Sequence, residues 1–182
     1  MQLYLIRHPQ PSVSSSICYG QTDIGLAPES LRELDALASK LRQQLPPQVP
    51  VYCSPLLRCR LLAEKLSASA SSDARLAEMH FGQWEMCLWD ALPREQLDAW
   101  AADPLHYTIP GGESVAQMQQ RILSFMQEQH KQGIKNMALV THAGVMKILF
   151  AQVGARHAVP LQTNEWMSLR FNYSTLHVVN YP

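Results

Sequence analysis

Short apolar runs alternate with amphipathic helical segments along this chain, and the alternation restricts the fold more than any other sequence feature. Runs of strand length occupy residues 2–6, 49–53, 136–141, 167–171 and 175–180. Between them, apolar residues recur every three or four positions, as from Leu31 to Leu45 and from Val115 to Gln129, which is the period of a helix with one buried face. Strands that alternate with helices predict a mostly parallel sheet covered on both faces. We therefore predict a three-layer α/β/α sandwich whose last two strands form an antiparallel hairpin.

The length and composition predict a single domain over residues 1–182. The 182 residues are 47% hydrophobic and 16% charged, which is enough apolar surface for one core without disulfide or metal cross-links. The section 77–113 contains three of the four tryptophans. Long irregular sections of this kind are often functional, so we interpret it as an insertion or cap over a site beside the sheet.

The charge balance and the apolar runs exclude several classes of partner. Lys and Arg total 15, as do Asp and Glu, so no strongly basic face is available for a nucleic acid backbone. Arg7 follows the first apolar residues too early for a secretory leader, and no run approaches the ~20 apolar residues that span a bilayer. We expect a soluble cytoplasmic protein without membrane contact, with its four cysteines as free thiols. The sequence does not indicate the oligomeric state.

Three predicted strands end in polar residues of one kind. The first run is followed by Arg7 and His8, the second leads through SPLLRCR to Arg58, and a third is followed by His142. In open α/β sheets, ligands bind beyond the carboxyl ends of the strands. We therefore expect these four basic side chains to lie together at one edge of the sheet. Ser54, directly after the second run, is predicted to cap the following helix.

Two arginines and two histidines at one sheet edge suit a phosphate dianion. Guanidinium groups match phosphate oxygens with paired hydrogen bonds. One histidine could attack phosphorus as a nucleophile while the other supplies positive charge to the transferring group. The remaining histidines show no paired metal-ligand spacing, so we predict neither a metal nor a cofactor. The expected ligand is a small-molecule phosphate ester.

An alcohol leaving group also needs a proton, and two glutamates are candidates for the acid. Glu78 lies in RLAEMHFGQWE, where nearby aromatic residues could desolvate its carboxyl. Glu85, in the same segment, is the alternative. In GGESVAQ, Ser114 and Gln117 form the capping-box pattern that starts a helix, so contact of Glu113 or Ser114 with the site is left open.

Five motifs, LIRHP, SPLLRC, EMHFGQWE, PGGES and VTHAGV, occur in the order and at the spacing seen in the histidine phosphatase superfamily, which includes the cofactor-dependent phosphoglycerate mutases. The resemblance covers residues 3 to about 148. It implies a phosphoglycerate mutase-like fold. Position by position, it implies that His8 becomes phosphorylated, that Arg7 and Arg58 bind phosphate, that Glu78 donates the proton, and that His142 is the second histidine of the pocket.

The loop after His8 departs from the family pattern. Pro9 replaces the usual glycine and lacks an N–H group. Family members commonly have a threonine and an asparagine further along, where this chain has Pro11 and Ser14. We expect a serine of this loop, Ser12, Ser14 or Ser16, to replace those contacts, and take Ser14 as the phosphate-binding candidate.

Within the superfamily, CYGQTDIGL and FGQWE followed by WD resemble the alpha-ribazole phosphatases, which remove phosphate from alpha-ribazole 5'-phosphate during assembly of the cobalamin lower ligand. The leading hypothesis is therefore a metal-independent phosphomonoesterase that works through a phosphohistidine. Two alternatives remain open. A catalytically weak phosphate-binding regulatory module is suggested by Pro9 and Pro11, and a phosphoglycerate mutase-type phosphotransferase is disfavoured by the short chain.

Overall fold

A computed structural model describes residues 1–153 and 163–182. In this part of the chain five strands form one sheet in the order β3-β2-β4-β1-β5. The strands are β1 (Gln2–Arg7), β2 (Val51–Cys53), β3 (Ser71–Ser72), β4 (Asn136–Thr141) and β5 (Leu176–Asn180). Neighbouring strands run parallel except β5, which is antiparallel to β1.

The helices in the described residues are α1 (Pro28–Arg32), α2 (Leu34–Arg42), α3 (Leu57–Leu66), α4 (Arg94–Ala102), α5 (Val115–Lys131), α6 (Ala143–Ala151) and α7 (Thr163–Ser168). Short 3-10 turns cover Ala74–Leu76, Gly82–Trp84 and Trp89–Ala91. None of these described helices is long and apolar enough to cross a bilayer.

Alternate residues of each strand pack on opposite faces of the sheet. In β1, Leu3 and Leu5 belong to the apolar cluster formed with α5 and α6, whereas Tyr4 and Ile6 belong to the cluster formed with α2 and α3. This follows from the two-residue period of a strand, which divides a continuous apolar run between two helical layers. The predicted three-layer α/β/α sandwich is confirmed.

The helix predicted from Val115 onward is confirmed as α5. Its buried stripe includes Met118, Ile122 and Phe125 at helical spacing. The Ser114 hydroxyl accepts from the backbone of Gln117, and the Gln117 side chain accepts in return from the backbone of Ser114. This capping box satisfies two of the unpaired donors at the start of the helix.

The predicted C-terminal hairpin is wrong, although its second strand exists. Residues 169–172 are in no strand, and α7 covers the start of the predicted run. β5 pairs instead with β1, with Leu3 opposite Val179. Phe171 packs into the core beside the sheet. An apolar pattern of this length marks burial, and only the tertiary contacts decide whether the buried segment is a strand.

Candidate active site

The strand register brings three chain segments together at one edge of the sheet. Arg7 lies opposite Thr141 in the β1–β4 pair, and β2 ends beside the same part of β4. Beyond the strands, the backbone N–H of His8 donates to the Thr141 carbonyl (3.0 Å) and that of Ser54 donates to the Val140 carbonyl (3.0 Å). The residues that follow β1, β2 and β4 are therefore neighbours, as the sequence predicted.

His8 is presented as a neutral imidazole with one free ring nitrogen. Its side chain is 2% exposed, and Nδ1 lies 2.6 Å from the carbonyl oxygen of Pro9. Because a carbonyl only accepts, Nδ1 carries the proton and Nε2 carries the lone pair. Burial, followed by the positive charge of Arg58, lowers the pKa of His8 to about 3. Pro9 keeps the acceptor that orients the ring, so its missing N–H does not affect this contact.

His142 lies fully buried at the N-cap position of α6, with its ring centroid 5.0 Å from that of His8. Its Nε2 is 2.7 Å from the Ser54 hydroxyl. Burial and the nearby His8 and Arg58 lower the pKa of His142 well below its usual range. That His142 supplies positive charge stays a prediction, because burial and the neighbouring cations favour the neutral imidazole whereas a phosphoryl dianion would favour the charged form.

Ser54 has a different role from the predicted helix cap. The helix α3 begins at Leu57, whose backbone N–H donates to Asp23 Oδ1 at 2.7 Å. The Ser54 hydroxyl instead accepts weakly from Leu56 N at 3.3 Å and contacts His142. A chain separation of 88 residues explains why no local pattern indicated this contact.

Arg7 and Arg58 each keep a buried donor without a partner. In Arg58, Nη1 donates to the carbonyl of Thr22 (3.0 Å) and Nη2 to that of Gly20. In Arg7, Nη1 donates to the carbonyl of Phe171. Among the described residues neither guanidinium pairs with a carboxylate, and the buried Nε of each has no hydrogen-bond partner. Because unpaired buried donors are costly, these two groups are suited to receive an anion.

Glu85 anchors the loop that holds Arg58. Its carboxylate accepts from the backbone N–H groups of Gly20 (3.0 Å), Gln21 (2.8 Å) and Thr22 (3.0 Å), from the Thr22 hydroxyl (2.5 Å), and from Phe81 N (3.1 Å). Burial acts to raise the pKa of Glu85, but the hydrogen bonds from Thr22 and the loop outweigh it and lower the pKa. Such a carboxylate is held in its ionised form, which suits an anchor better than a proton donor.

Glu78 lines the cavity above the basic residues, whereas Glu85 does not. Its Oε2 accepts from Gly144 N at 3.2 Å and its Oε1 from Met79 N at 3.0 Å, so the carboxylate meets the start of α6. A Cβ at Gly144 would lie 2.2 Å from Oε1 of Glu78. The glycine of VTHAGV therefore makes room for the Glu78 carboxylate.

Arg121 holds the backbone around Glu78, a role that no local sequence pattern indicated. Its Nη1 donates to the carbonyls of Arg75 (2.7 Å) and Ala77 (2.8 Å), and its Nη2 donates to the Glu78 carbonyl (2.9 Å). A salt bridge of 2.7 Å to Glu113 holds the guanidinium in place. Glu113 thus stabilises the backbone of Glu78 through Arg121, and it does not line the cavity.

Ser14 is not brought into the site. Its side chain is exposed and its hydroxyl lies 2.8 Å from that of Ser16. Ser15 is the serine of this loop that lines the cavity. The predicted contact of Ser14 with phosphate is therefore not made here, because the loop turns this side chain toward solvent.

A cavity of about 430 Å³ opens above Arg7, His8 and Glu78. This volume is typical of sites for small molecules. The segment 77–113 and the C-terminal part of the chain supply mostly aromatic and apolar walls, which include Phe81, Trp89, Trp100, Trp166, Phe171 and Tyr173. Two cations, Lys147 and Arg170, also line it. In the described part of the chain, no three His, Cys, Asp or Glu side chains come together as metal ligands.

Comparison with known proteins finds phosphatases among the chains that are similar to this one. The adenosylcobalamin/alpha-ribazole phosphatase of Salmonella typhimurium is 27% identical over an alignment of 198 residues, which covers 99% of this chain and 96% of that protein. Phosphoserine phosphatase 1 of Hydrogenobacter thermophilus is 26% identical over 160 residues, or 82% of this chain and 74% of that protein. The alpha-ribazole phosphatase structure from Shigella flexneri superposes with a TM-score of 0.80 over 99% of this chain and 90% of that one. At its 24% identity, this match supports the fold alone.

The resemblance inferred from the five motifs is confirmed by a family model. The model of the histidine phosphatase superfamily (branch 1) matches residues 3–181. Since this match spans nearly the whole sequence, the chain belongs to the histidine phosphatase superfamily.

Proposed function

We propose that this protein is a metal-independent phosphomonoesterase that transfers the phosphoryl group of a small metabolite first to His8 and then to water. The observation that carries the proposal is a pair of buried Nε–H groups, on Arg7 and Arg58, that have no hydrogen-bond partner among the described residues. They lie beside the His8 imidazole, whose Nε2 is likewise without a described partner. A phosphoryl group is an acceptor-rich dianion that matches both guanidinium groups. Its charge would also offset the buried guanidinium of Arg58 and the half-buried one of Arg7, which have no carboxylate partner in the described part of the chain.

The chemistry follows from the position of each group. Nε2 of His8 attacks phosphorus, a P–N bond forms, and the bond between phosphorus and the ester oxygen breaks. Glu78, in its protonated form, gives its proton to the departing oxygen and then accepts one from the water that attacks the phosphohistidine. Arg7 and Arg58 stabilise the charge on the transferring oxygens. His142 accepts at Nε2 from the Ser54 hydroxyl and donates from Nδ1 to one of these oxygens.

For the substrate we propose alpha-ribazole 5'-phosphate. This compound joins a flat aromatic base to a sugar phosphate, and the cavity combines a basic floor with aromatic walls that include Phe81, Trp89 and Trp166. Aromatic side chains bind flat rings by stacking and burial. The relative in Salmonella typhimurium, which aligns over 99% of this chain, supports the same substrate.

A second class of substrate, phosphate esters that carry a carboxylate, is favoured by the two cations in the cavity wall. Lys147 Nζ donates to the Trp166 carbonyl at 2.7 Å. Burial, with a smaller effect of Arg170, lowers the pKa of Lys147 to about 8. A substrate carboxylate would reverse this shift because it supplies the opposite charge. The phosphoserine phosphatase among the relatives fits this class.

The test is a hydrolysis screen with alpha-ribazole 5'-phosphate, phosphoserine and a generic aryl phosphate. We expect kcat/KM for alpha-ribazole 5'-phosphate to exceed that for phosphoserine by ~100-fold, or about 2.7 kcal/mol. The Lys147→Met variant is the matched control, because it should lower activity on phosphoserine alone. A preference for phosphoserine that Lys147→Met abolishes would replace the first substrate with the second.

The mechanism is tested separately from the substrate. Turnover should survive a chelator, be blocked by vanadate, and disappear in His8→Ala. Acid-labile phosphate should be trapped on the wild-type chain by rapid quenching and be absent from the variant. Sensitivity to the chelator, or failure to trap phosphate during turnover, would contradict the phosphohistidine. Phosphate binding without turnover on any ester would support the regulatory module instead.

A further inference from the structure

The loop after His8 offers few donors to a phosphate. Pro9 and Pro11 have no N–H group, Ser14 points to solvent, and Ser15 is the loop serine that lines the cavity. His8 is nevertheless only 2% exposed, and the ring of Tyr173 lies against both His8 and Arg7. A second tyrosine from a distant part of the chain, Tyr19, lies over Arg58.

The two tyrosines lie over the two arginines. The Tyr173 ring is 3.8 Å from the Cζ of Arg7, and its centroid is 5.4 Å from that of the His8 ring. The Tyr19 ring is 5.4 Å from the Cζ of Arg58. Both tyrosines line the cavity, and their hydroxyls meet at 2.9 Å. The hydroxyl pair thus joins two rings that each cover one phosphate-binding arginine.

Backbone hydrogen bonds hold both tyrosines at this position. On one side of Tyr19, Cys18 exchanges backbone hydrogen bonds with residues 86 and 87 (2.7 and 2.8 Å). Around Tyr173, Ser174 N donates to the His8 carbonyl (3.3 Å) and Arg7 N donates to the Thr175 carbonyl (3.0 Å). The backbone segments that carry the tyrosines are therefore held at the site. Rotation of the tyrosine side chains is enough to separate the two hydroxyls.

We propose that the hydroxyls of Tyr19 and Tyr173 are phosphate-binding groups, which give up their mutual hydrogen bond and donate to oxygens of the substrate's phosphoryl group. The inference rests on the proposed phosphatase site and adds two binding residues to it. They replace the side-chain donors that Pro11 and Ser14 do not supply.

The hydrogen-bond inventory supports this exchange. When one hydroxyl of the pair donates to the other, the second O–H has no other acceptor among the described residues. A bound phosphoryl group would accept from both hydroxyls and from the free Nε–H groups of Arg7 and Arg58. Burial and the contact with Tyr173 raise the pKa of Tyr19, so its phenol keeps the proton that donation requires.

The experiment compares Tyr19→Phe, Tyr173→Phe and the double variant with the wild type. Phenylalanine keeps each ring over its arginine and removes only the hydroxyl. Binding of inorganic phosphate and vanadate is measured by titration calorimetry, and kcat/KM is measured on the aryl phosphate. Each single variant should bind about 10-fold more weakly, which corresponds to about 1.4 kcal/mol, and the double variant should lose more than either.

Controls separate binding from folding. Tyr52→Phe, on β2 with its ring 5.5 Å from Phe125, should bind phosphate as the wild type does. All variants should unfold within about 3 °C of the wild type, because no packing atom other than the hydroxyl oxygen is lost. Wild-type affinity in both single variants, or tighter binding as expected of a simple gate, would overturn the inference.

The outcome is distinguishable from a failure of the proposed function. Binding differences between the variants are measured without turnover, so they stand even if the wild type hydrolyses no ester. Conversely, turnover and a trapped phosphohistidine could be observed while the Phe variants bind normally, which would remove the tyrosines alone. A wild-type chain that binds neither phosphate nor vanadate would also overturn the inference.

Discussion

Replacing each of the two candidate acids by glutamine distinguishes the glutamate that anchors a loop from the glutamate that donates the proton. Glu85→Gln removes the negative charge that accepts hydrogen bonds from the backbone N–H groups of residues 20–22. Glu78→Gln changes a carboxylate that faces the cavity. We expect Glu85→Gln to lower the free energy of unfolding strongly. We expect Glu78→Gln to leave stability nearly unchanged and to lower kcat.

The magnitude for Glu85→Gln follows from its contacts. Oε2 accepts from Gly20 N, Thr22 N and the Thr22 hydroxyl, and Oε1 accepts from Gln21 N and Phe81 N. If the amide oxygen of glutamine takes the place of Oε2, its NH₂ group faces the other two N–H donors. Two hydrogen bonds to a charged group, each worth about 1.5 kcal/mol, then give a loss of about 3 kcal/mol.

The main expected effect of Glu78→Gln is a loss of kcat. An amide cannot transfer the proton, and a positioned general acid typically contributes ~10²–10⁴-fold. The amide oxygen of glutamine can keep part of the hydrogen bonding that Glu78 has with Met79 N and Gly144 N. We therefore expect the free energy of unfolding to fall by at most about 1 kcal/mol.

Urea denaturation and steady-state kinetics on an aryl phosphate measure both quantities for both variants. The kinetic assay uses a temperature well below the unfolding of the weaker variant. The assignment would be refuted by the reverse pattern, in which Glu85→Gln folds as the wild type does but loses turnover. Loss of turnover in Glu85→Gln that follows the unfolded fraction agrees with an anchor.

Two further predictions concern the histidine and the glycine of the site. Because the pKa of His8 falls from 6.5 to about 3 on burial, the unfolded chain binds a proton that the folded chain does not, and the free energy of unfolding should decrease as the pH falls below about 6.5. The slope should be up to ~1.4 kcal/mol per pH unit for this group and smaller in His8→Asn, and equal slopes in urea denaturation between about pH 5 and 7 would contradict the buried neutral imidazole. Gly144→Ala should lower kcat ~10–100-fold with little change in stability, because the new Cβ displaces the flexible Glu78 carboxylate, which it approaches to 2.2 Å. Gly25→Ala, where the nearest atom is 3.9 Å away, is the matched control, and an unchanged kcat in Gly144→Ala would argue against Glu78 as the acid.

Local patterns were sufficient wherever the physical cause was itself local. The three-residue and four-residue spacing from Val115 onward predicted α5, and the pattern of Ser114 and Gln117 predicted its start, since both depend on contacts within a few residues. The position of Arg7 and His8 after a strand was sufficient to place them at the sheet edge. Carboxyl ends of parallel strands share that edge whatever the details of packing.

Local patterns failed where a segment had a choice of distant partners. The apolar run at 167–171 was predicted as a strand, yet the neighbour of β1 on that side is β5, and Phe171 enters the core. Ser54 was predicted as a cap because serine before a helix usually is one, but a histidine 88 residues away occupies its hydroxyl.

The sequence by itself determined the layered fold and the position of four basic residues at one edge of the sheet, because periodicity and strand ends act through neighbouring residues. The tertiary structure alone decided which glutamate faces the cavity and which anchors a loop, that Ser14 lies outside, and that Tyr19 meets Tyr173 across 154 residues. These choices depend on which donors, acceptors and rings the folded chain brings within about 3–5 Å, and chain separation carries no information about that distance.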